Sequence, residues 1–202
     1  MSYKLNLRSI TTPLLITLLE KEMRFPKLFM LRCKLTAGQL KKRIDPRFPK
    51  EFVELTALPV WVYLNLKAKI GQPKALEIMR IALLTGGVAL QALMFDSVHT
   101  KRTFENFIEK ELEINRTGTT RWNTLKIVDR TDRRFEIKVA RCLYHEFVTS
   151  LGIPEVTPLV CQIDNAVFNS YIPGQVIFHR GEINRRIADG NTECNFIWEK
   201  VG

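Results

Sequence analysis

The spacing of apolar side chains changes near Asn115, and this change constrains the fold more than any other feature of the sequence. Before it, apolar residues recur every three or four positions in residues 12–31 and 49–69, which predicts amphipathic helices. After it, residues 122–127 and 135–139 group β-forming side chains around a polar turn, which predicts a hairpin. Helices followed by strands predict an α+β fold, with N-terminal helices packed with a C-terminal antiparallel sheet.

The same patterns predict the remaining elements. Pro26 is expected to break or kink the first helix. Further helices are predicted over residues 74–95, 104–112, 140–151 and 158–171, and further strands over 175–179 and 194–198. Gly86-Gly87 interrupts the first of these helices, and close helix packing explains the pair better than a phosphate loop does. The charge-free run 81–95 is shorter than the roughly 20 residues that span a bilayer, so we predict a core helix and no membrane span.

Positive charge is concentrated at the start of the chain. Residues 1–50 contain twelve Lys or Arg and three Asp or Glu, a net charge of +9 out of +10 for the whole chain. A solvated helix face is the simplest explanation, and docking on an anionic membrane surface or a protein is the alternative. Nucleic-acid binding is not expected, because no nucleic-acid module is recognisable. We predict a basic amphipathic helical extension, residues 1–47, and an α+β domain, residues 48–202.

The cysteines and the N-terminus indicate an intracellular protein. Four cysteines at irregular spacing do not form the framework of a disulfide-rich secreted domain. The apolar run after Arg8 is short, reaches Glu20 quickly and has no small-residue cleavage site, unlike a secretion signal. We therefore predict a cytoplasmic location. The sequence does not determine an oligomeric state.

Three of the four cysteines, Cys142, Cys161 and Cys194, fall in the last third of the chain. Cys142 is expected to begin a helix directly after a strand, beside Arg141. The helix dipole and the cation would lower the pKa of this thiol and make it a nucleophile. The alternative is that the cysteines simply pack in the core, as free cysteines often do.

A metal site is a further alternative. Its ligands would be Cys142, His145, Cys161 and Cys194, a Cys3His set suited to zinc. No Cys-x2-Cys knuckle supports it, so we predict no cofactor and keep zinc or iron as the alternative. The sequence also has no dinucleotide-binding loop, phosphate loop or Gly-x-Ser-x-Gly elbow, which argues against several enzyme classes.

Five sequence blocks occur in an order that is typical of one known family. They are FEIKVARCLYHEF (135–147), LGIPE (151–155), CQID (161–164), FHR (178–180) and GNTECNF (190–196). Together they resemble the L-2-amino-thiazoline-4-carboxylic acid hydrolase family, closely over residues 122–198 and only in general character upstream. The last block is also similar to small-ligand-binding domains of the vinyl-reductase type. A non-catalytic domain that binds a small ligand or a metal at the same cysteine pocket is therefore the alternative.

The hydrolase resemblance implies a small-molecule substrate, a cyclic amidine-like and carboxylated ring of the 2-amino-thiazoline-4-carboxylate type. Water adds to the carbon between ring nitrogen and sulfur, the carbon–sulfur bond breaks, and N-carbamoyl-L-cysteine results. Asp164 or Glu146 can activate water, and Cys142 or Cys161 can attack the ring or donate a proton. The matched candidates are Cys142, Glu146, Cys161, Asp164 and Cys194 for catalysis, and Arg141 and Arg180 for the substrate carboxylate.

Overall fold

The computed structural model describes residues 7–96, 101–118 and 120–201, so residues 1–6 of the predicted extension lie outside the described residues. The chain divides into two compact units, Met1–Gly86 and Gly87–Gly202. The regular structure described in the first unit is helical, and the second unit combines helices with an antiparallel sheet. The predicted α+β class is confirmed, and the predicted boundary after residue 47 stays a prediction.

The first unit is built from α1 (Leu7–Glu20), α2 (Pro26–Lys41), α3 (Lys50–Ile70) and the first part of α4 (Gln72–Asp96). The break predicted at Pro26 is confirmed, since this proline begins α2 instead of continuing α1. The indole Nε1 of Trp61 on α3 donates a hydrogen bond of 2.9 Å to Oγ1 of Thr36 on α2. The fully buried side chains of this core include Leu19, Tyr63 and Leu66.

Helix α4 continues through Gly86-Gly87, so the predicted interruption is wrong. A Cβ on Gly87 would clash with the side chain of Ile163, which confirms close packing as the reason for this glycine. By length and composition alone, Gln72–Phe95 could cross a membrane, with a mean hydropathy of 1.7 and 28% of its most apolar part buried. Core helices of soluble proteins pass the same test of length and composition, so one such helix is weak evidence for a membrane span.

The second unit has a four-stranded antiparallel sheet in the order β1-β2-β4-β3. Its strands are β1 (Thr124–Arg130), β2 (Arg134–Arg141), β3 (Val176–His179) and β4 (Cys194–Lys200). The predicted hairpin closes where the N–H of Thr131 donates to the carbonyl of Arg134 at 2.8 Å. Val139 of β2 pairs with Cys194 of β4. This register brings Cys194 near the end of β2, after which Cys142 follows.

This unit also contains the second part of α4 and the helices α5 (Phe104–Thr117), α6 (Leu143–Ser150) and α7 (Thr157–Tyr171). Helix α6 begins later than predicted because β2 extends to Arg141. The indole of Trp198 on β4 is fully buried at the centre of an aromatic cluster. Its neighbours, with ring centroids 5.0–5.9 Å away, are Phe107, Phe135, Phe168, Phe178 and Phe196. Because Phe168 belongs to α7, this cluster holds α7 against the sheet and fixes the position of Asp164.

Candidate active site

Asp164 and Cys161 lie three residues apart on α7 and therefore share one side of the helix. One carboxylate oxygen of Asp164 accepts a hydrogen bond of 3.3 Å from Nε2 of Gln91 on α4. The other accepts one of 3.1 Å from Nη2 of Arg180. Burial raises the pKa of the Asp164 carboxyl, and the Arg180 guanidinium opposes this shift without cancelling it. The Asp164 side chain is 21% exposed, so water can still reach it.

Arg180 follows β3 and is almost completely buried, with 3% of its surface exposed. Its guanidinium lies 4.1 Å from the ring centroid of Phe196 and 5.2 Å from that of Phe178. Nη1 donates to the carbonyl of Asn195 at 3.3 Å, while Nε has no hydrogen-bond partner among the described residues. Arg180 is thus a fixed cation whose principal ionic partner is Asp164.

Cys142 lies at the N-terminal end of α6, as predicted. The predicted fall in its pKa is wrong, because burial raises the pKa of the Cys142 thiol to about 11. The backbone N–H groups of Tyr144 and His145 favour the thiolate, but their effect is smaller than that of burial. The expected help from Arg141 is absent because this cation pairs with another residue. The Cys142 thiol therefore stays protonated at neutral pH.

The other two thiols share the surroundings of Cys142. Burial, followed by the negative charge of Asp164, raises the pKa of Cys161 to about 12. Burial also raises the pKa of Cys194, although the N–H of Ile187 donates to its sulfur at 3.1 Å. Each thiol lies within electrostatic range of the others or of Asp164. We call Cys142, Cys161, Asp164, Arg180 and Cys194 the thiol–aspartate cluster.

Arg141 and Glu146 are not part of this cluster. Nε and Nη2 of Arg141 donate to the two carboxylate oxygens of Glu146 at 2.7 and 2.8 Å. The two side chains are 46% and 34% exposed, so they form a surface ion pair. Of the seven catalytic and substrate-binding candidates predicted from the sequence, five lie in the thiol–aspartate cluster. The other two, Arg141 and Glu146, pair with each other at the surface. The catalytic and substrate-binding roles themselves stay predictions.

The alternative metal ligands do not form a metal-binding group. Nδ1 of His145 lies 3.0 Å from Oγ1 of Thr157. Within residues 7–96, 101–118 and 120–201, no three His, Cys, Asp or Glu side chains come together in a way that could hold a metal ion. The donor arrangement of the described chain therefore does not fit the Cys3His site.

A model of the L-2-amino-thiazoline-4-carboxylic acid hydrolase family matches residues 51–198, which is most of the chain. The chain belongs to this family. The match confirms the resemblance seen in the C-terminal blocks and extends it upstream into α3. The thiol–aspartate cluster lies wholly inside the matched segment of this family member.

No curated protein matches the chain. One solved structure, the Fe(II) unliganded H-NOX protein from K. algicida, is similar at 14% sequence identity, over 96% of each chain. The TM-score is 0.40, and this likeness supports no argument about the hydrolase-family chain.

Sequence analysis missed two charged residues beside the cluster. Glu111 on α5 is 6% exposed and accepts a hydrogen bond of 2.8 Å from Nδ2 of Asn115. Burial raises the pKa of Glu111 to about 7, and the charge of Asp164 adds to the shift. Arg186 pairs with Asp189 at 2.6 Å and lies within electrostatic range of the thiols. The position of Glu111 on the apolar face of α5 could have indicated a buried acid. No sequence pattern indicated that Arg186 would lie near the thiols.

We expect the thiols of this family member to react slowly with iodoacetamide. Alkylation requires the thiolate, and pKa values of about 11 and 12 for Cys142 and Cys161 leave little thiolate at pH 8. The native protein should react roughly 100-fold more slowly than free cysteine at pH 8. The rate should rise about tenfold per pH unit up to about pH 10.

Peptide mass mapping of the alkylated protein measures the reaction at each cysteine. The control is the same protein in urea, in which all four thiols should react at the rate of free cysteine. Rapid and selective modification of native Cys142 at pH 7 would contradict the shift and restore this thiol as a thiolate nucleophile.

Proposed function

We propose that this chain hydrolyses a small cyclic amidine-like, carboxylated substrate of the 2-amino-thiazoline-4-carboxylate type. The observation that carries the proposal is the hydrogen-bonded Asp164–Arg180 pair beside three protonated thiols, within the segment matched to the hydrolase family. Four free cysteines also suit a reducing compartment, which supports a cytoplasmic location.

Asp164 is the proposed general base. Its carboxylate accepts a proton from water, and the water oxygen attacks the ring carbon between nitrogen and sulfur. A carboxyl whose pKa is raised suits this role better than an ordinary one, because it binds the transferred proton more strongly. Hydrogen bonds from Gln91 and Arg180 keep both of its oxygens in fixed directions.

Asp164 is also the proposed source of the second proton. When the carbon–sulfur bond breaks, the sulfur leaves with the electron pair of that bond and takes the proton that Asp164 accepted from water. The hydroxyl on the ring carbon becomes the carbonyl of the carbamoyl group, and its proton moves to the former ring nitrogen. One water molecule is consumed, and Asp164 returns to its ionised state.

The thiols are proposed as neutral hydrogen-bond donors. Burial keeps them protonated, so Cys161 can donate its S–H to the departing sulfur, with Cys142 and Cys194 completing a sulfur-rich wall. This role differs from covalent attack, which needs a thiolate.

The substrate carboxylate is proposed to bind in the positive field of two arginines. Arg180 is committed to Asp164 and acts mainly as a positioning residue. Arg186 has 19% of its side chain exposed and lies within electrostatic range of Cys161 and Cys194, which makes it the more accessible cation.

Purified protein is expected to convert 2-amino-thiazoline-4-carboxylate to N-carbamoyl-cysteine, detected by mass spectrometry. Cys161→Ala should lower turnover by about tenfold, because it removes an S–H donor, and Cys161→Ser should lie between Cys161→Ala and the wild type. Cys33→Ser is the matched control, since Cys33 is a buried free thiol of α2 outside the cluster.

Two outcomes would contradict this scheme. Equal loss in both Cys161 variants, together with a protein-bound substrate adduct, would indicate a covalent nucleophile instead of a hydrogen-bond donor. No turnover by a folded protein that contains stoichiometric zinc or iron would favour the non-catalytic binding domain.

A further inference from the structure

Helix α2 exposes a row of leucines. Leu28, Leu31 and Leu35 are 62%, 51% and 74% exposed. Spacings of three and four residues put them on one stripe of the helix. The opposite side of α2 is buried through Cys33, Ala37 and Leu40. An α-helix in a water-soluble protein normally has polar side chains opposite its buried face, so this stripe needs an explanation.

Cations flank the leucine stripe on both sides. At about 100° of rotation per residue, Lys27 and Lys34 lie along one edge and Arg32 along the other. All three are exposed, and none has a carboxylate partner among the described residues. Helix α2 itself contains no Asp or Glu. The exposed face is therefore apolar in the middle and positive at its edges.

A surface cleft lies at the N-terminal end of the same helix. Its volume is about 260 Å³. Its apolar wall comes from Phe25, Leu28 and Phe29, and its charged wall from Arg24, Arg32 and Lys69. The guanidinium of Arg24 lies 5.0 Å from the ring centroid of Phe25, which is itself 60% exposed. Three cations beside an apolar wall fit an anionic group attached to an apolar chain.

We propose that the exposed face of α2 docks on an anionic phospholipid surface. The leucines enter the boundary between headgroups and acyl chains. The flanking cations have flexible side chains, which let their charged groups reach the phosphates. The cleft accepts one phosphate through Arg24, Arg32 and Lys69. Charge complementarity favours this occupant, since the surface combines an apolar stripe with cations that have no carboxylate partner in the described part of the chain. The first fifty residues also have a net charge of +9.

The proposal concerns the first unit and is independent of the reaction proposed for the thiol–aspartate cluster. Docking can thus fail while turnover persists, and turnover can fail while docking persists. Sedimentation with vesicles therefore tests the lipid surface alone, and the ring-opening assay tests the hydrolase alone.

The full chain should sediment with vesicles of phosphatidylcholine mixed with phosphatidylglycerol at low salt, and not with phosphatidylcholine alone. Binding should weaken at about 0.5 M salt, where exposed charges are screened. A variant with Lys27→Gln, Arg32→Gln and Lys34→Gln should bind roughly 100-fold more weakly. A variant with Leu28→Ser, Leu31→Ser and Leu35→Ser should lose most of its binding.

Matched controls come from the second unit. Ile177→Ser removes an apolar side chain that is 54% exposed on β3, and Lys126→Gln removes an exposed cation of β1. Neither should change vesicle binding, and circular dichroism verifies that all variants remain folded. Equal binding to neutral and anionic vesicles, or binding that the leucine variant retains, would overturn the proposal. The proposal would also be overturned if the protein did not bind vesicles and its α2 face instead bound soluble polyglutamate or a second copy of the chain.

Discussion

Asp164→Asn is expected to lower the turnover of 2-amino-thiazoline-4-carboxylate by about 10²–10⁴-fold. The amide keeps the shape of the side chain and can still accept a hydrogen bond from Arg180. It cannot accept a proton from water or return one to the departing sulfur. The loss should therefore appear in kcat more than in KM, because the lost interaction belongs to the transition state. Steady-state kinetics with the purified variant measures both constants.

The pH dependence of the activity tests this prediction in a second and independent way. A general base works in its ionised form, so wild-type activity should fall as the pH drops through the raised pKa of Asp164. Glu111 lies within electrostatic range of Asp164 and has a pKa of about 7, so its change of charge should broaden the lower limb. The pH profile of the remaining activity of Asp164→Asn should lack the part of this lower limb that comes from protonation of Asp164.

Asp129→Asn is the matched control for Asp164→Asn. Asp129 lies on β1 with 37% of its side chain exposed, and it pairs with Arg134 outside the cluster. Its replacement should leave kcat within about twofold of the wild type, as expected for a surface pair. If Glu146→Gln abolished turnover and Asp164→Asn did not, the general base would be assigned to the wrong carboxylate.

The order of elements could be predicted because their signals are local. Helical spacing, the proline that begins α2 and the β-branched residues of β2 are each visible within about ten residues of sequence. The position of Cys142 between a strand and a helix has the same local origin. The continuity of α4 through Gly86-Gly87 could not be predicted in this way, because glycine is locally unfavourable within a helix. The space that a Cβ on Gly87 would need is filled by Ile163, a residue of another helix.

The electrostatics of the cluster could not be predicted, because they depend on burial and on distant partners. The sequence showed Cys142 at a helix start beside Arg141. It did not show that burial would raise the pKa of the thiol more than the N–H groups at the helix start lower it. It did not show that Arg141 would bond to Glu146 instead. Gln91 lies 73 residues before Asp164 in the chain, so no spacing rule connects them. The family blocks contain the five residues of the thiol–aspartate cluster, but only the environment of these residues indicates neutral thiols.

Arg180→Met is expected to destabilise the protein by about 3–5 kcal/mol at pH 8. The variant removes the principal cation that pairs with the carboxylate of Asp164, in a site where 2% of the arginine side chain is exposed. Methionine fills much of the same space between Phe178 and Phe196, so lost charge and not a cavity should dominate the effect. Urea unfolding monitored by tryptophan fluorescence measures the change, with Trp198 reporting on the surrounding core.

The pH dependence separates lost charge from lost packing. Removing Arg180 raises the pKa of Asp164 further, so the folded variant binds a proton at pH values where the unfolded chain does not. Protonated Asp164 needs no cation, and the variant should therefore lose less stability at pH 5 than at pH 8. Adding Asp164→Asn to Arg180→Met should recover part of the loss at pH 8.

Arg141→Met provides the matched comparison. This arginine also makes an ion pair within the second unit, but it is 46% exposed and should contribute at most about 1 kcal/mol. An equal cost for the two substitutions, or a cost for Arg180→Met that does not change between pH 5 and pH 8, would mean that Asp164 is not held as a charged partner. In that case Arg180 would stabilise the core through its contacts with the aromatic rings alone, and the proposed positioning of Asp164 would be wrong.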